Sequence, residues 1–315
     1  MGAYITEALL KTGVHHVTAI TRPESKSKMP SGVTVKRSKY DDAAALTEAL
    51  RGQDVLIITM NVMAPKDSQT KLIDAAAAAG VPWILPNGWG SIDPTHELLR
   101  GDSLIGEGAR AVREYIEFKG VSSWIDVTCG FWYEFSLSGA PMRYGFDFQK
   151  KEVTFFDDRN TKINHSTWPQ VGRAVASLLS LPIKSEAGGV CLEHFRNKHL
   201  YISSYCASQK EIFDSVLRVT GESEKDWKIS HEDVKGRYQK GVEIMHTGDW
   251  RGFVQALYSR VFYPDGAGNF ESRHSLHNEI LGLPKEDFAE STRLAIKLDA
   301  DDWHGFHGTK KDRNS

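Results

Sequence analysis

Gly2 and Arg22 are the residues whose types and spacing best suit a ligand that carries phosphate groups. Gly2 opens an apolar helical period, and Arg22 follows a short apolar run at residues 17–20. In a dinucleotide-binding βαβ unit, the amino end of such a helix faces the pyrophosphate, and a basic residue after the next strand accommodates the 2′-phosphate of NADP. Lys26 and Lys28 add positive charge to the same loop. These residues therefore predict a site for NADP(H) that uses Gly2, Arg22, Lys26 and Lys28.

The dinucleotide fingerprint is incomplete, because it needs three glycines and Gly2 stands in the third place alone. Gly13 suits the carboxyl end of the first helix, so the helix and the strand after it are intact. Two interpretations remain. Either Met1 is an internal methionine and the first strand of the sheet lies upstream, or the chain has a native start with a modified sheet edge. We favour the first, an apparent truncation relative to related proteins.

Two later apolar strands should deliver further polar residues to the cofactor. Residues 54–61 form a continuous apolar run that ends in a polar segment, and residues 81–86 form another run that precedes a glycine-containing loop. Ligands of doubly wound sheets bind outside the carboxyl ends of the strands. The cofactor-binding residues expected there are Thr59, Met60, Asn61, Asn87, Gly88 and Trp89.

An aromatic cluster follows the strand predicted at residues 123–128. Phe131, Trp132 and Tyr133 in that place suit the wall of an apolar substrate pocket beside the nicotinamide, although each of them could equally be a core residue. Tyr133 and Glu134 are the candidates for proton transfer in this segment, and neither stands out as catalytic.

The alternation of helical and strand patterns predicts an α/β fold, a Rossmann-like doubly wound parallel sheet whose first strand is apparently missing. Residues 1–142 are expected to form the NAD(P)-binding domain. From residue 143 the pattern changes to paired strands and helices, which predicts a smaller α+β substrate lobe over 143–307 that partly rejoins the main sheet. The polar tail 308–315 is expected to be disordered.

Composition narrows the class of protein. The 315 residues include 40% hydrophobic and 25% charged residues, with a formal net charge of −2, so neither a nucleic-acid partner nor a membrane is expected. The three cysteines are odd in number and widely spaced, which indicates reduced thiols and a cytoplasmic location. The twelve histidines match no common metal-ligand spacing, so we expect no metal.

Tyr115 and Lys119 spell the Tyr-x-x-x-Lys pair of ordinary short-chain dehydrogenases. They lie only a few residues before the strand at 123–128, however, and so at the sheet edge away from the cofactor. We therefore expect no catalytic role for them, and expect Lys119 to interact with carbonyls at the helix end.

Taken in order, several segments resemble the NmrA-like and isoflavone-reductase-like branch of the atypical short-chain dehydrogenases, and fungal members above all. The resemblance covers essentially the whole chain and is carried by residues 2–10, 17–22, 85–90, 129–135 and 168–176. It implies an NADPH site at Gly2 and Arg22, lined by residues 59–61, with residues 87–89 near the nicotinamide.

One departure from the family pattern bears on function. Reductases of this family use a lysine that here falls on or beside Ala109, next to Arg110, and a guanidinium is a poor proton donor. This departure counts against reduction of the isoflavone-reductase type and favours the alternative given below. Arg22 and the aromatic segment after residue 128 predict an NADP(H)-dependent oxidoreductase for a small aromatic or carbonyl-containing metabolite. The alternative is a non-catalytic NADP-sensing regulator that binds a protein partner.

Overall fold

The structure, a computed structural model, describes residues 1–61, 64, 65, 67–90, 93, 95–97, 99 and 106–305. Its helices are α1 (Gly2–Thr12), α2 (Ala43–Leu50), α3 (Ser68–Ala79), α4 (Gly106–Lys119), α5 (Tyr133–Leu137), α6 (Trp168–Leu179), α7 (Gln209–Thr220), α8 (Val234–His246), α9 (Trp250–Val261) and α10 (Phe288–Ala300). Short 3₁₀ turns occupy Leu192–Phe195, Glu224–Asp226 and Phe270–Ser272.

The strands are short and alternate with these helices. They are β1 (Thr18–Thr21), β2 (Thr34–Arg37), β3 (Val55–Ile57), β4 (Trp83–Leu85), β5 (Ser123–Thr128), β6 (Phe131–Trp132), β7 (Phe146–Asp147), β8 (Glu152–Phe156), β9 (Lys162–Ser166), β10 (Lys198–Tyr201), β11 (Tyr205–Ser208) and β12 (Lys228–Glu232).

The centre of the molecule is a parallel sheet in the order β10–β5–β4–β3. Every residue of β4 and β5 is buried, as expected of parallel strands that helices cover on both faces. Both halves of the chain contribute to this sheet, since β10 comes from the second half and pairs with β5. The α/β doubly wound class is confirmed by this arrangement.

β1 and β2 form a separate parallel pair. Among the described residues, no backbone hydrogen bond joins β1 to β3. A doubly wound sheet has its first strand between these two positions. The break in the sheet falls between β1 and β3.

The second half of the chain adds two small three-stranded sheets, β11–β9–β6 and β12–β8–β7. Their strands pack with α5, α7, α9 and α10 around an aromatic core. The pair β7–β8 is antiparallel, unlike the strands of the central sheet.

Helices with strong local signals lie where the sequence predicts them. α6 is capped by the Thr167 hydroxyl, which accepts the N–H of Gln170, and carries a proline in its first turn. The strand predicted at 54–61 shortens to β3, because Met60 turns away to bond Asn87. Sequence reasoning missed α5 and α10. In the part of the chain that the structure describes, no helix is both long and apolar enough to span a membrane.

Candidate functional site

The amino end of α1 meets the carboxyl end of β3 at Gly2. A Cβ on Gly2 would lie 2.8 Å from the Thr59 hydroxyl, so only glycine permits this approach without movement of Thr59. Met1, the N-cap residue, provides no side-chain cap for α1. The first backbone N–H groups of α1 thus remain available at the positive end of the helix dipole.

The loops after β3 and β4 are tied together by Asn87. Its side-chain oxygen accepts the Met60 N–H at 3.0 Å, and its amide donates to the Met60 carbonyl at 3.2 Å. The Asn87 N–H donates to Gln69 Oε1, and the Trp89 indole donates to the Ile58 carbonyl at 2.7 Å. Met60, Asn87 and Trp89 therefore form one rigid edge, as expected from the sequence, although Trp89 uses its N–H within the protein.

Gly88 lies against a buried ion pair. Any Cβ there would overlap the carboxylate of Asp126, which pairs with Arg113 at 2.7 Å. His199 Nδ1 lies 3.7 Å from the same carboxylate. Gly88 thus has a packing reason to be glycine, and Asp126, for which the sequence predicts no role, holds α4 to β5.

The loop that follows β1 is shaped by an arginine that sequence reasoning missed. Arg37, the last residue of β2, donates to the carbonyls of Arg22, Pro23 and Ser25. Arg22 itself is exposed and lies 3.5 Å from Glu24, and Lys26 is exposed as well. The loop keeps its cationic side chains at the surface.

Arg22 lies close enough to Tyr40 to affect the ionisation of its hydroxyl. Its guanidinium opposes the rise in the pKa of Tyr40, which burial causes. Tyr40 in turn packs on the apolar cluster that Met60 also contacts. Lys28 is exposed in the same loop, and Asn61 is exposed after Met60.

The aromatic residues after β5 do not share one environment. Phe131 is 6% exposed and stacks on Tyr258, and Tyr133 is fully buried with its hydroxyl on Thr292. Burial raises the pKa of Tyr133 far above its ordinary value. The expected place of Phe131 and Tyr133 on a pocket wall is not found, because both side chains belong to the aromatic core, Phe131 from β6 and Tyr133 from the start of α5.

Glu134 is a buried carboxyl group at the amino end of α6. It is 1% exposed, and its Oε2 accepts the Trp168 N–H at 3.4 Å. Burial raises the pKa of Glu134 to about 7, against the opposing effect of its backbone hydrogen bonds. Glu134 therefore holds a proton over part of the neutral pH range.

A cavity of about 360 Å³ opens beside the first turn of α1. Of the three residues that the sequence predicts for a substrate pocket, Trp132 lines this cavity. The full set of lining residues is Met1, Ala3, Tyr4, Trp132, Phe135, Trp168, Leu294, Leu298 and Trp303. Most of these side chains are aromatic or aliphatic, so the cavity suits a flat apolar molecule.

The sequence does not predict that most of the residues lining this cavity lie together. Tyr4 and Trp168 lie in helices that the sequence predicts, but their contact, with ring centroids 5.5 Å apart, joins α1 to α6. Leu294 and Leu298 belong to α10, which sequence reasoning missed. The apolar period of that helix is the signal that could have identified it.

Tyr115 and Lys119 lie away from the cavity, on the face of α4 that meets α3. The Tyr115 hydroxyl donates to Asp74 Oδ1 at 2.7 Å, and Lys119 pairs with the same atom at 2.9 Å. Lys119 thus bonds a carboxylate of α3 rather than the helix-end carbonyls expected from the sequence. Arg110, beside Ala109, pairs with Glu114. Among the described residues, no group of three acidic, histidine or cysteine side chains could hold a metal.

Comparison with known proteins agrees with this fold. The model of the NmrA-like family matches residues 1–257. The chain belongs to the NmrA-like family. Its relatives include the oxidoreductase aprR of Aspergillus flavus, 26% identical over 305 residues, which cover 94% of this chain and 95% of that protein.

Solved structures also resemble this NmrA-like protein. The Escherichia coli NADPH-dependent quinone oxidoreductase QOR2, complexed with NADPH, is 20% identical with a TM-score of 0.68, over 94% of this chain and 96% of that one. An isoflavone reductase is 18% identical with a TM-score of 0.68, over 92% and 94% of the two chains. These likenesses establish the Rossmann-type fold.

Proposed function

We propose that this NmrA-like protein is an NADP(H)-dependent oxidoreductase that reduces a small aromatic or carbonyl-containing metabolite. Its curated relative aprR is named an oxidoreductase, and a structure of the same fold holds NADPH. The observation that carries the proposal is that the cavity begins at the first turn of α1, where Met1, Ala3 and Tyr4 line it.

The residues at this edge fit a dinucleotide. In the described part of the chain, the N–H groups of Gly2, Ala3 and Tyr4 have no hydrogen-bond partner. Such groups at a helix amino end bind phosphate oxygens, and Gly2 removes the side chain that would block their approach. Arg22, with Lys26 and Lys28, would hold the 2′-phosphate.

The remaining cofactor contacts fall on the rigid edge. Thr59, Met60 and Asn61 would line the dinucleotide, and the loop from Asn87 through Gly88 to Trp89 would lie near the nicotinamide. The bound cofactor supplies the hydride. Trp132 and its aromatic neighbours would stack on the substrate and exclude water from it, which favours hydride transfer over side reactions.

The domain division follows from the same placement. Residues 1–142 would bind the cofactor, and 143–307 would cover the substrate, with residues 306–315 outside the described part of the chain. The described cysteines Cys129, Cys191 and Cys206 are free thiols, which supports a reducing compartment such as the cytoplasm.

Two measurements on the purified chain test the proposal. Calorimetric titration with NADPH and NADH is expected to show binding with a preference for NADPH. NADPH oxidation at 340 nm is then followed with quinones, enones and isoflavonoid-like ketones, and at least one class should be reduced. Tight NADPH binding without turnover of any class would refute the reductase and leave a cofactor-binding protein.

A further inference from the structure

The indole N–H of Trp168 is a buried donor with no acceptor. Trp168 is 5% exposed and lines the cavity, and its Nε1 has no hydrogen-bond partner in the described structure. Its ring lies among those of Tyr4, Phe135 and Trp303, with centroid distances of 5.5, 6.1 and 5.4 Å. A buried donor without an acceptor destabilises a protein, so an acceptor from a ligand would restore the lost interaction.

Tyr4 provides a second donor in the same cavity. No hydrogen bond of its hydroxyl occurs among the described residues, and its ring stacks on Trp168 at an interplanar angle of 24°. Burial and the nearby carboxyl groups of Glu134 and Glu7 raise the pKa of Tyr4, so the hydroxyl keeps its proton through the neutral range.

The other lining residues add no strong acceptor. The side chains of Met1, Ala3, Phe135, Leu294 and Leu298 are apolar, and the indoles of Trp132 and Trp303 can only donate. The Trp132 Nε1, like that of Trp168, has no hydrogen-bond partner in the described structure. The polar character of the cavity is therefore that of a donor. The N–H groups of an amine would find no strong acceptor among these lining side chains.

Both donors are held in fixed positions. Glu134 accepts the backbone N–H of Trp168, and the Thr167 hydroxyl caps the same helix. The carbonyl of Tyr4 lies against Gly172 of α6, which fixes α1 on that helix. Donors that are already ordered lose little entropy when a ligand binds.

We propose that Trp168 and Tyr4 determine specificity in this cavity by binding a ketone or quinone oxygen on a flat, fused-ring aromatic molecule. This deepens the proposed function and rests on it for the role of the ligand as substrate. The donors would also polarise the carbonyl group toward hydride addition, since the developing negative charge on oxygen strengthens both hydrogen bonds.

The test uses two probes that differ in one acceptor atom, 2-acetonaphthone and 2-ethylnaphthalene. Their affinities for the full chain are measured by calorimetry without NADPH. The variants are Trp168→Phe and Tyr4→Phe, and the matched control is Trp250→Phe, an exposed tryptophan of α9. The wild type is expected to bind the ketone about tenfold more tightly than the hydrocarbon, the worth of one net hydrogen bond.

Trp168→Phe and Tyr4→Phe should each reduce that preference, because each removes one of two donors, and Trp250→Phe should preserve it. An unchanged affinity for 2-ethylnaphthalene shows that a variant is folded. Equal binding of both probes by the wild type, absence of binding, or a full preference in Trp168→Phe would overturn the proposal. Selective ketone binding without NADPH-dependent reduction would instead refute the proposed enzyme activity and leave the binding site in place.

Discussion

Gly172 of α6 lies directly against the backbone carbonyl of Tyr4 in α1. A Cβ at Gly172 would stand 2.6 Å from that oxygen and 2.9 Å from the carbonyl carbon. These are backbone atoms that cannot rotate away, so the two helices must separate to admit a side chain. The proposed amino-terminal phosphate site of α1 and the aromatic cavity therefore depend on one helix contact.

Gly172→Ala should lower the free energy of unfolding by about 1–3 kcal/mol, the usual cost of overpacking. It should also weaken NADPH binding, because α1 moves. Gly108→Ala in α4 is the control, since a Cβ at Gly108 would have no atom within 4 Å, and it should be neutral or stabilising by up to about 1 kcal/mol. Urea unfolding gives both values, and equal stabilities for the two variants would contradict the packing argument.

Arg22 should set the preference for NADPH over NADH. Arg22→Ala is expected to weaken NADPH binding by about 10-fold to 100-fold, as for a charged hydrogen bond to phosphate, and to leave NADH binding unchanged. Arg51→Ala removes an equally exposed arginine that pairs with Glu48 at the end of α2. It should alter neither affinity. A parallel loss for NADPH and NADH would show that Arg22 supports the loop rather than the 2′-phosphate.

Local signals in the sequence are enough to predict several elements. α3 ends at Gly80 in a left-handed conformation, and α6 begins at a threonine cap followed by proline. β5 matches its predicted bounds, although Asp126 interrupts its apolar residues. The edge formed by Met60 and Asn87 follows from the rule that parallel strands end together.

The cavity could not be predicted in the same way. Tyr4, Trp168 and Trp303 are far apart in the chain and meet only through the packing of α1, α6 and the segment after α10. The pattern of residues 131–137 indicates the end of a strand, and α5 is too short to show a helical period. That helix decides which aromatic side chain points to the cavity and which to the core.

Arg113 should be needed for stability rather than for binding. Its partner Asp126 is 1% exposed, so Arg113→Met would leave a carboxylate buried without its cation and should cost about 3–5 kcal/mol. The control Arg110→Met breaks an exposed pair in the same helix and should cost no more than about 0.5 kcal/mol. Adding Asp126→Asn to Arg113→Met should restore part of the loss in chemical denaturation. An additive further loss would rule out the ion pair as the cause.

Glu134 should make the protein more stable as the pH falls toward 5. Its pKa rises from 4.5 to about 7 on folding, so the folded state holds a proton that the unfolded state releases. The contribution is fully present below pH 4.5 and is lost as the pH rises through 7, about 3 kcal/mol in all. As the pH rises from 5 to 8, Glu134→Gln should therefore gain stability relative to wild type. Glu243→Gln, at an exposed position of α8, should show no such trend.

His165 should act in the opposite direction. Its ring accepts the Tyr144 hydroxyl at Nδ1 and donates from Nε2 to the Ala207 carbonyl, and burial lowers its pKa from 6.5 to about 4. Stability from the neutral ring is present above pH 6.5 and is lost as the pH falls toward 4, about 2 kcal/mol between pH 7.5 and 5.

In the wild type the effects of His165 and Glu134 nearly cancel, and single variants separate them. As the pH falls from 7.5 to 5, His165→Gln should gain about 2 kcal/mol in its free energy of unfolding relative to wild type. Over the same fall in pH, Glu134→Gln should lose stability relative to wild type. His246→Gln, an exposed histidine at the end of α8, is the control and should follow the wild type. Urea unfolding at pH 5, 6, 7 and 8 measures all five proteins, including the Glu243→Gln control. Parallel curves for His165→Gln and wild type would show that the histidine is not buried as a neutral ring.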